Sequence, residues 1–304
     1  MVTMFILPKK FLRLGLWLLV LIVFLSACST QSTPAAVETP TVVKPTATPT
    51  ALEPTVTSVP AAAVVNDERI PLAWFENEFA RYLIAQEDLG NQDVDEDAAR
   101  EAVLNNLIDL TLFAQAAQRA GFSVSDDLVQ SRLDQLAGEV DLSAWMATWG
   151  YTEEDLRHSL KLEMLAAKQR EFIVESVSEV AEQVELRQVF AYTEEGAENA
   201  LLSLNSGQDF SEVAFLYDPI TGGYLGWVPR GYLLIPAVEE AAFNLPVGSN
   251  SDIIESDIGF HIIKVLDREE RRLTADARLT LQRQALNDWL GEQHQVSTIE
   301  VLID

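Results

Sequence analysis

Apolar residues along this chain follow three different rhythms. Leu14 to Leu25 is an unbroken apolar run. From 29 to 63 there is no apolar period at all. From about 98 the period is helical: Val103, Leu107, Leu110, Ala114 and Ala117 recur at steps of three and four, which puts them on one helical face. That pattern predicts a helix over Ala98 to Ala120, with Gly121 just past its end. Ala73 to Ala85 fits an earlier helix, entered from a short hairpin at Val64 to Ile70. Ser125 fits the start of a helix burying Leu128, Leu133 and Leu136. Leu142, Trp145, Met146 and Trp149 stripe a third, stopped by Gly150. Thr152 and Asp155 have the spacing of a capping box, and Leu156, Leu160, Met164 and Ala167 carry the face onward.

Near 184 the period drops to two. Val184, Leu186, Gln188 and Phe190 share one strand face, with a glutamine among apolar neighbours. Helices follow over Glu194 to Leu204 and from Gly207 to Leu216. A short strand holds Leu225, Trp227 and Val228. A turn at Pro229-Arg230-Gly231 leads to a helix from Pro236 through Phe243. After a Pro246-Val247-Gly248 turn, a strand covers Gly259 to Leu266 and sets His261 on one face with Ile263 and Val265. A charged connector after Asp267 leads to a helix over Thr274 to Gln293 with a stripe at Ala277, Leu281, Ala285, Leu286, Trp289 and Leu290. Such a stripe needs a partner to cover it.

At 304 residues the chain has room for two cores. The net charge is −26 and becomes −29 without the first 27 residues, which carry Lys9, Lys10, Arg13 and no acid. So acidic a surface repels nucleic acid and anionic lipid headgroups, and it fits either plain solubility or a preference for basic partners. A single cysteine, Cys28, excludes an intrachain disulfide. His158, His261 and His294 lie far apart, which argues against a metal site, and no cofactor is expected.

Residues 1–27 read as a targeting segment, because a run of 12 apolar residues is too short to span ~30 Å of hydrocarbon. The run ends in Leu25-Ser26-Ala27-Cys28, which looks like a bacterial lipobox. That resemblance implies lipidation of Cys28 and an extracytoplasmic protein anchored to the cell membrane. Residues 28–63 form a Pro/Thr-rich linker with prolines at 34, 40, 45, 49, 54 and 60. An extended chain of that kind rises about 3.1 Å per residue and would reach ~100 Å.

The ordered pieces GGYLGW, the Arg-Gly turn, EEAAF, the glycine after Pro246 and GFHIIKV resemble the second half of the parvulin family of peptidyl-prolyl isomerases. The stretch VLNNLIDLTLFAQAAQRAG, with SVSDDLV and YTEEDLRHSL, is similar to the helical N-terminal region of the SurA/PrsA group of extracytoplasmic foldases. The implied fold is α+β. A helical chaperone-like domain (64–182) would be completed by a C-terminal helix (269–304), with a parvulin-like, FKBP-like domain (183–268) inserted between them.

The resemblance implies a site of two facing histidines, a Cys or Asp near the substrate carbonyl, and an apolar socket for the proline ring. His261 matches the second histidine, though a buried structural histidine would look the same. Gln188 stands where the first belongs. Asp218 aligns with the Cys/Asp position. Leu233 or Leu234 takes the Met/Leu position, and Val238 replaces the usual Phe. Phe243 and Phe260 match either as ligand contacts or as core. Tyr224 replaces an aspartate and reads as structural.

Two functions follow as expectations. One is a lipid-anchored prolyl isomerase acting on X-Pro segments of unfolded exported polypeptides, weakened or silenced by Gln188 and Val238. The alternative is a non-catalytic holdase with a degenerate parvulin domain. The Trp/Met stripe at 142–149 fits either a peptide groove or core.

Overall fold

The computed structural model describes residues 59–91 and 93–303. The targeting segment, Cys28 and nearly all of the linker lie outside the described residues. The chain divides into two compact units. The first takes the described residues up to Ile108, Asp126–Leu160 and the end from Ile299, and the second takes Asp109–Ser125 and Lys161–Thr298.

In the first unit, β1 (Ala61–Val65) and β2 (Glu68–Pro71) form a hairpin. Its two turn residues, Asn66 and Asp67, have φ of 48° and 69°. Positive φ at both centres is what a two-residue hairpin needs to match strand twist, and Asn and Asp tolerate it better than other side chains. A third strand, β7 (Ile299–Val301), pairs with the other edge of β1. The apolar pattern ends on a helix and does not predict this strand, which is only three residues long.

Five helices follow: α1 (Leu72–Leu89), α2 (Glu96–Arg119), α3 (Asp126–Glu139), α4 (Leu142–Trp149) and α5 (Glu153–Ser176). The expected face of α2 is buried at Val103, Leu107, Leu110, Ala114 and Ala117. The capping box at the start of α5 forms, with Asp155 N–H donating to Thr152 Oγ1 (3.1 Å) and Thr152 N–H to Asp155 Oδ2 (3.3 Å). Along α5 the buried stripe runs Leu156, Leu160, then Leu162, Leu165 and Ala166. It leaves Met164 and Ala167 half-buried, each one position away from a buried neighbour, Leu165 and Ala166.

The second unit is built on a four-stranded antiparallel sheet, order β4-β3-β6-β5. The strands are β3 (Val180–Ala191), β4 (Tyr224–Pro229), β5 (Ile254–Ser256) and β6 (Gly259–Arg272). Strand alternation splits the core in two. Val184, Leu186, Ile263 and Val265 pack with Val238, Ala242 and Phe243 of α8 (Pro236–Asn244). Val189 and Ile262 pack on the opposite face with Ala200 and Leu204 of α6 (Glu194–Asn205) and Phe210 and Val213 of α7 (Phe210–Tyr217). Each fully buried aliphatic side chain contributes roughly 1.5–3 kcal/mol.

The expected connector after Asp267 is strand instead. β6 runs on to Arg272 and pairs with β3 as far as Val180. Buried Gln183 ties the ribbon by donating its amide to Arg271 O (3.0 Å). The last helix, α9 (Ala275–Val296), is capped by Thr274. Its Trp289 stacks on Phe113 at 4.6 Å, and His294 meets Asp109 at 2.6 Å.

Candidate functional site

The inner pair of strands brings Gln188 and His261 onto one face. Gln188 is opposite Ile263, and His261 is opposite Phe190 on one side and Ile254 on the other. His261 Nδ1 lies 3.4 Å from Gln188 Oε1. Its other ring nitrogen, Nε2, lies 2.7 Å from Ser256 Oγ. The Phe190 ring is 5.0 Å from the imidazole, centre to centre. His261 is only 1% exposed, while Gln188, Phe190, Ser256 and Ile254 are half-buried. Burial disfavours the imidazolium and holds this histidine below its ordinary pKa.

Ser256 Oγ also lies 3.0 Å from the carbonyl oxygen of Gly259. Two proton arrangements satisfy this chain. In one, Ser256 donates to Gly259, Nε2–H donates to Ser256, and Nδ1 accepts from the Gln188 amide. In the other, Ser256 donates to Nε2, and Nδ1–H donates to Gln188 Oε1. A glutamine can serve both, because half a turn of its amide exchanges acceptor for donor. Gln188 is therefore a partner for either tautomer of a neutral His261.

Asp218 lies at the C-terminal end of α7. Its carboxylate accepts backbone N–H groups of Ile220 (3.0 Å), Thr221 (3.2 Å) and Gly223 (3.4 Å), as well as the Thr221 hydroxyl. The Thr221 hydroxyl and these N–H groups hold its pKa below the ordinary carboxylate value. The carboxylate organises its own loop. The loop in turn reaches the site, since Gly223 O accepts the N–H of Gln188 at 2.8 Å.

The two neighbouring leucines differ in burial. Leu233 packs against the α8-side core, and Leu234 is 97% exposed and outside it. Val238 and Phe243 are buried in that same core, and Arg230 lies over the Phe243 ring at 4.3 Å. Phe260 does not join them. Alternation puts it with Ile262, on the sheet face opposite His261. Tyr224 donates to Glu185 at 2.6 Å across β3 and β4. Strand periodicity gives no sign of Ser256, whose contact depends on the turn at Gly259. Nor does it show the irregularity beside Leu225, where β3–β4 pairing skips one residue.

Two family profiles match the chain. Residues 42–170 match the SurA-like N-terminal domain, and residues 167–269 match the PPIC-type PPIASE domain. Among curated proteins, the chain is 29% identical to a foldase protein PrsA of Geobacillus kaustophilus, over 57% of this chain and 64% of that one. It is 28% identical to a foldase protein PrsA of Caldanaerobacter subterraneus, over 66% of this chain and 72% of that one. The chain thus spans just under two thirds of the first of these relatives. A crystal structure of peptidylprolyl isomerase (PrsA) from Bacillus cereus aligns over 79% of this chain and 90% of its own, at 20% identity and a TM-score of 0.45.

Proposed function

Because this chain is a PrsA/parvulin-type PPIase-family protein, we propose that it is an extracytoplasmic foldase, tethered to the membrane through Cys28, that assists exported polypeptides at their X-Pro segments. Support for the tether is the lipobox-like Leu25 to Cys28 and the proline-rich linker behind it. Support for the substrate class is the foldase name carried by its relatives. The observation that carries the reading is the contact between Gln188 and His261 across β3 and β6, on the face that also holds Leu233 and Val238.

Rotation of an X-Pro bond faces a barrier of about 18–20 kcal/mol, since the amide loses resonance when twisted. The work asked of the protein is to grip the ring and place polar groups for the twisted amide, with water kept away. In this reading Leu233 and Phe190 meet the ring. Gln188, the half-buried polar group, meets the amide. His261, sealed beneath, is a positioning residue that fixes the Gln188 side chain from behind.

A second reading is favoured by three observations. His261 is sealed from solvent, Asp218 is committed to its loop, and Val238 belongs to the core. A holdase that binds unfolded chains without turnover would need none of these groups free. A protease-coupled proline-peptide assay, run beside an aggregation assay with an unfolded client, separates the two. Turnover above buffer supports the isomerase. Suppressed aggregation with turnover equal to buffer leaves the holdase, and neither effect removes both.

A further inference from the structure

The turn that carries Leu233 is gripped from two sides. On one side is Glu239 of α8, a half-buried acid. Its Oε2 accepts the N–H of Gly231 at 2.8 Å and the N–H of Leu233 at 3.2 Å. Both bonds end on a single oxygen atom. Two donors that converge on one acceptor fix a point, but they leave the turn free to rock about it. Glu239 is therefore a pivot for residues 231–233, and a second contact is needed to set the angle.

That second contact comes from α9. Tyr232, between the two held residues, donates its hydroxyl to Asp276 Oδ2 at 2.6 Å. Asp276 lies in the first turn of α9, where the helix N-terminus favours a negative charge. A hydroxyl donating to a carboxylate at this length belongs to the stronger class of hydrogen bond. The bond to Asp276 holds the phenol above its ordinary pKa. Further along, α9 closes on the backbone of the turn. A β-carbon built on Gly231 would stand 2.6 Å from Gln284 Oε1 and 2.9 Å from Leu281 Cδ2. The helix is itself held away from this turn. Gln282 donates its amide to Val174 O of α5 at 3.4 Å, and Trp289 stacks on Phe113 of α2. The brace on residues 231–233 is thus anchored outside the sheet that carries Gln188 and His261.

We propose that Tyr232 and Asp276 are positioning residues, through which α9 sets where Leu233 stands for a proline ring. The inference rests on the reading of Leu233 as a ring contact. The test uses the full chain and two readouts. One is the pair of Leu233 methyl NMR signals in the free protein, assigned by their loss in Leu233→Ala. The other is kcat and KM for a short proline peptide, with Kd from titration of the same signals. Tyr232→Phe removes one oxygen and keeps the ring. It should shift the Leu233 signals and raise KM and Kd about threefold to tenfold, with kcat nearly unchanged. Asp276→Ala should do the same, and the double variant no more than either single. Asp276→Asn keeps an acceptor and should restore most of the wild-type behaviour. Leu279→Ala, at an exposed α9 position, should change neither readout. A merely structural role would lower the urea midpoint and leave KM and Kd where they were. Leu233 signals that stay in place in both Tyr232→Phe and Asp276→Ala overturn the proposal, with or without turnover. So does a shift of those signals at unchanged Kd. Wild-type turnover equal to buffer overturns the isomerase reading alone, and the methyl signals and Kd then decide the positioning role. A wild-type chain that binds no proline peptide overturns both.

Discussion

A β-carbon built on Gly223 would stand 1.8 Å from the carbonyl oxygen of Gln188. The backbone of Gly223 also has φ of 69°, which L side chains rarely adopt. The two residues are joined by the Gln188 N–H to Gly223 O bond at 2.8 Å, and Asp218 holds Gly223 N–H from the other side. The loop after α7 is thus pressed against the strand that carries the candidate site. Gly223→Ala has no flexible neighbour to move, because backbone meets backbone. It should lower stability by about 2–4 kcal/mol. Urea unfolding followed by circular dichroism checks this, and a loss under about 0.5 kcal/mol would show that the loop is free to retreat.

Gln188→His tests the site directly. The glutamine oxygen is 3.4 Å from His261 Nδ1, a long contact for one hydrogen bond. An imidazole at 188 would restore the paired rings of the parvulin pattern. One well-formed hydrogen bond, worth about 1.4 kcal/mol at the twisted amide, corresponds to about tenfold in kcat/KM. The protease-coupled assay reads that gain. Unchanged turnover would place the limit at Val238, whose buried side chain cannot supply an aromatic contact.

Stability should fall on mild acidification, and His261 should account for part of the fall. Burial holds its folded-state pKa below the ordinary 6.5. An unfolded chain takes up this proton near 6.5, and the folded chain only at lower pH. Between those values the unfolded state binds more protons, so stability is lost as pH falls. The contribution is intact above about 6.5 and is exhausted once the pH has passed below the folded value. Urea midpoints measured from neutral to mildly acid pH should therefore drop more steeply for the wild type than for His261→Gln. Parallel curves would mean that the imidazole takes up its proton equally readily in the folded and unfolded chain, and a shallower fall in the wild type would mean that it is charged and paired in the fold.

Much of the fold is readable from residues alone, because the signals are periodic. The alternation through Val184, Leu186, Gln188 and Phe190, set against His261 and Ile263, is enough to put Gln188 and His261 on one face. The Thr152–Asp155 spacing is enough to start α5. What escapes has no period to read. Residues 267–272 are charged on both sides of a ribbon that water reaches, so alternation carries no apolar signal there. Strand β7 is too short for a pattern. Asp218 matches a motif position, but its hydrogen bonds follow from which N–H groups a loop turns inward, and one aligned residue does not encode that.

Leu233 and Leu234 should behave differently despite being neighbours of the same type. Leu233 packs against the α8-side core, and Leu234 is 97% exposed. Leu233→Ala should cost about 1–2 kcal/mol of stability, and Leu234→Ala no more than about 0.5. If Leu233 also meets the proline ring, its variant should raise KM for a proline peptide, with little change for Leu234→Ala. Thermal melts and peptide kinetics on the pair read both effects. An equal rise of KM in the two variants would move the ring contact out to the exposed loop.

Arg81 is buried to 3% exposure, and its nearest counter-charge is Glu78 at 2.7 Å, with Asp155 at 3.7 Å. Desolvation holds the Glu78 carboxyl above its ordinary pKa, although Arg81 and the Trp74 indole N–H both pull it down. The pair therefore contributes less as a charge pair than as a fixed set of donors, since Arg81 also serves two carbonyls at the end of α4. Removing the cation alone strands those groups. Arg81→Met should cost about 3–5 kcal/mol. Arg81→Lys should recover little, because an ammonium cannot reach both carbonyls and lie flat on the Tyr151 ring. Glu78→Gln alone should cost less, and the double variant should fall well short of the sum of the singles. A double-mutant cycle by urea unfolding measures this. Simple additivity would mean that the carboxylate and the guanidinium stabilise the helices independently, with Arg81 acting only through the α4 carbonyls.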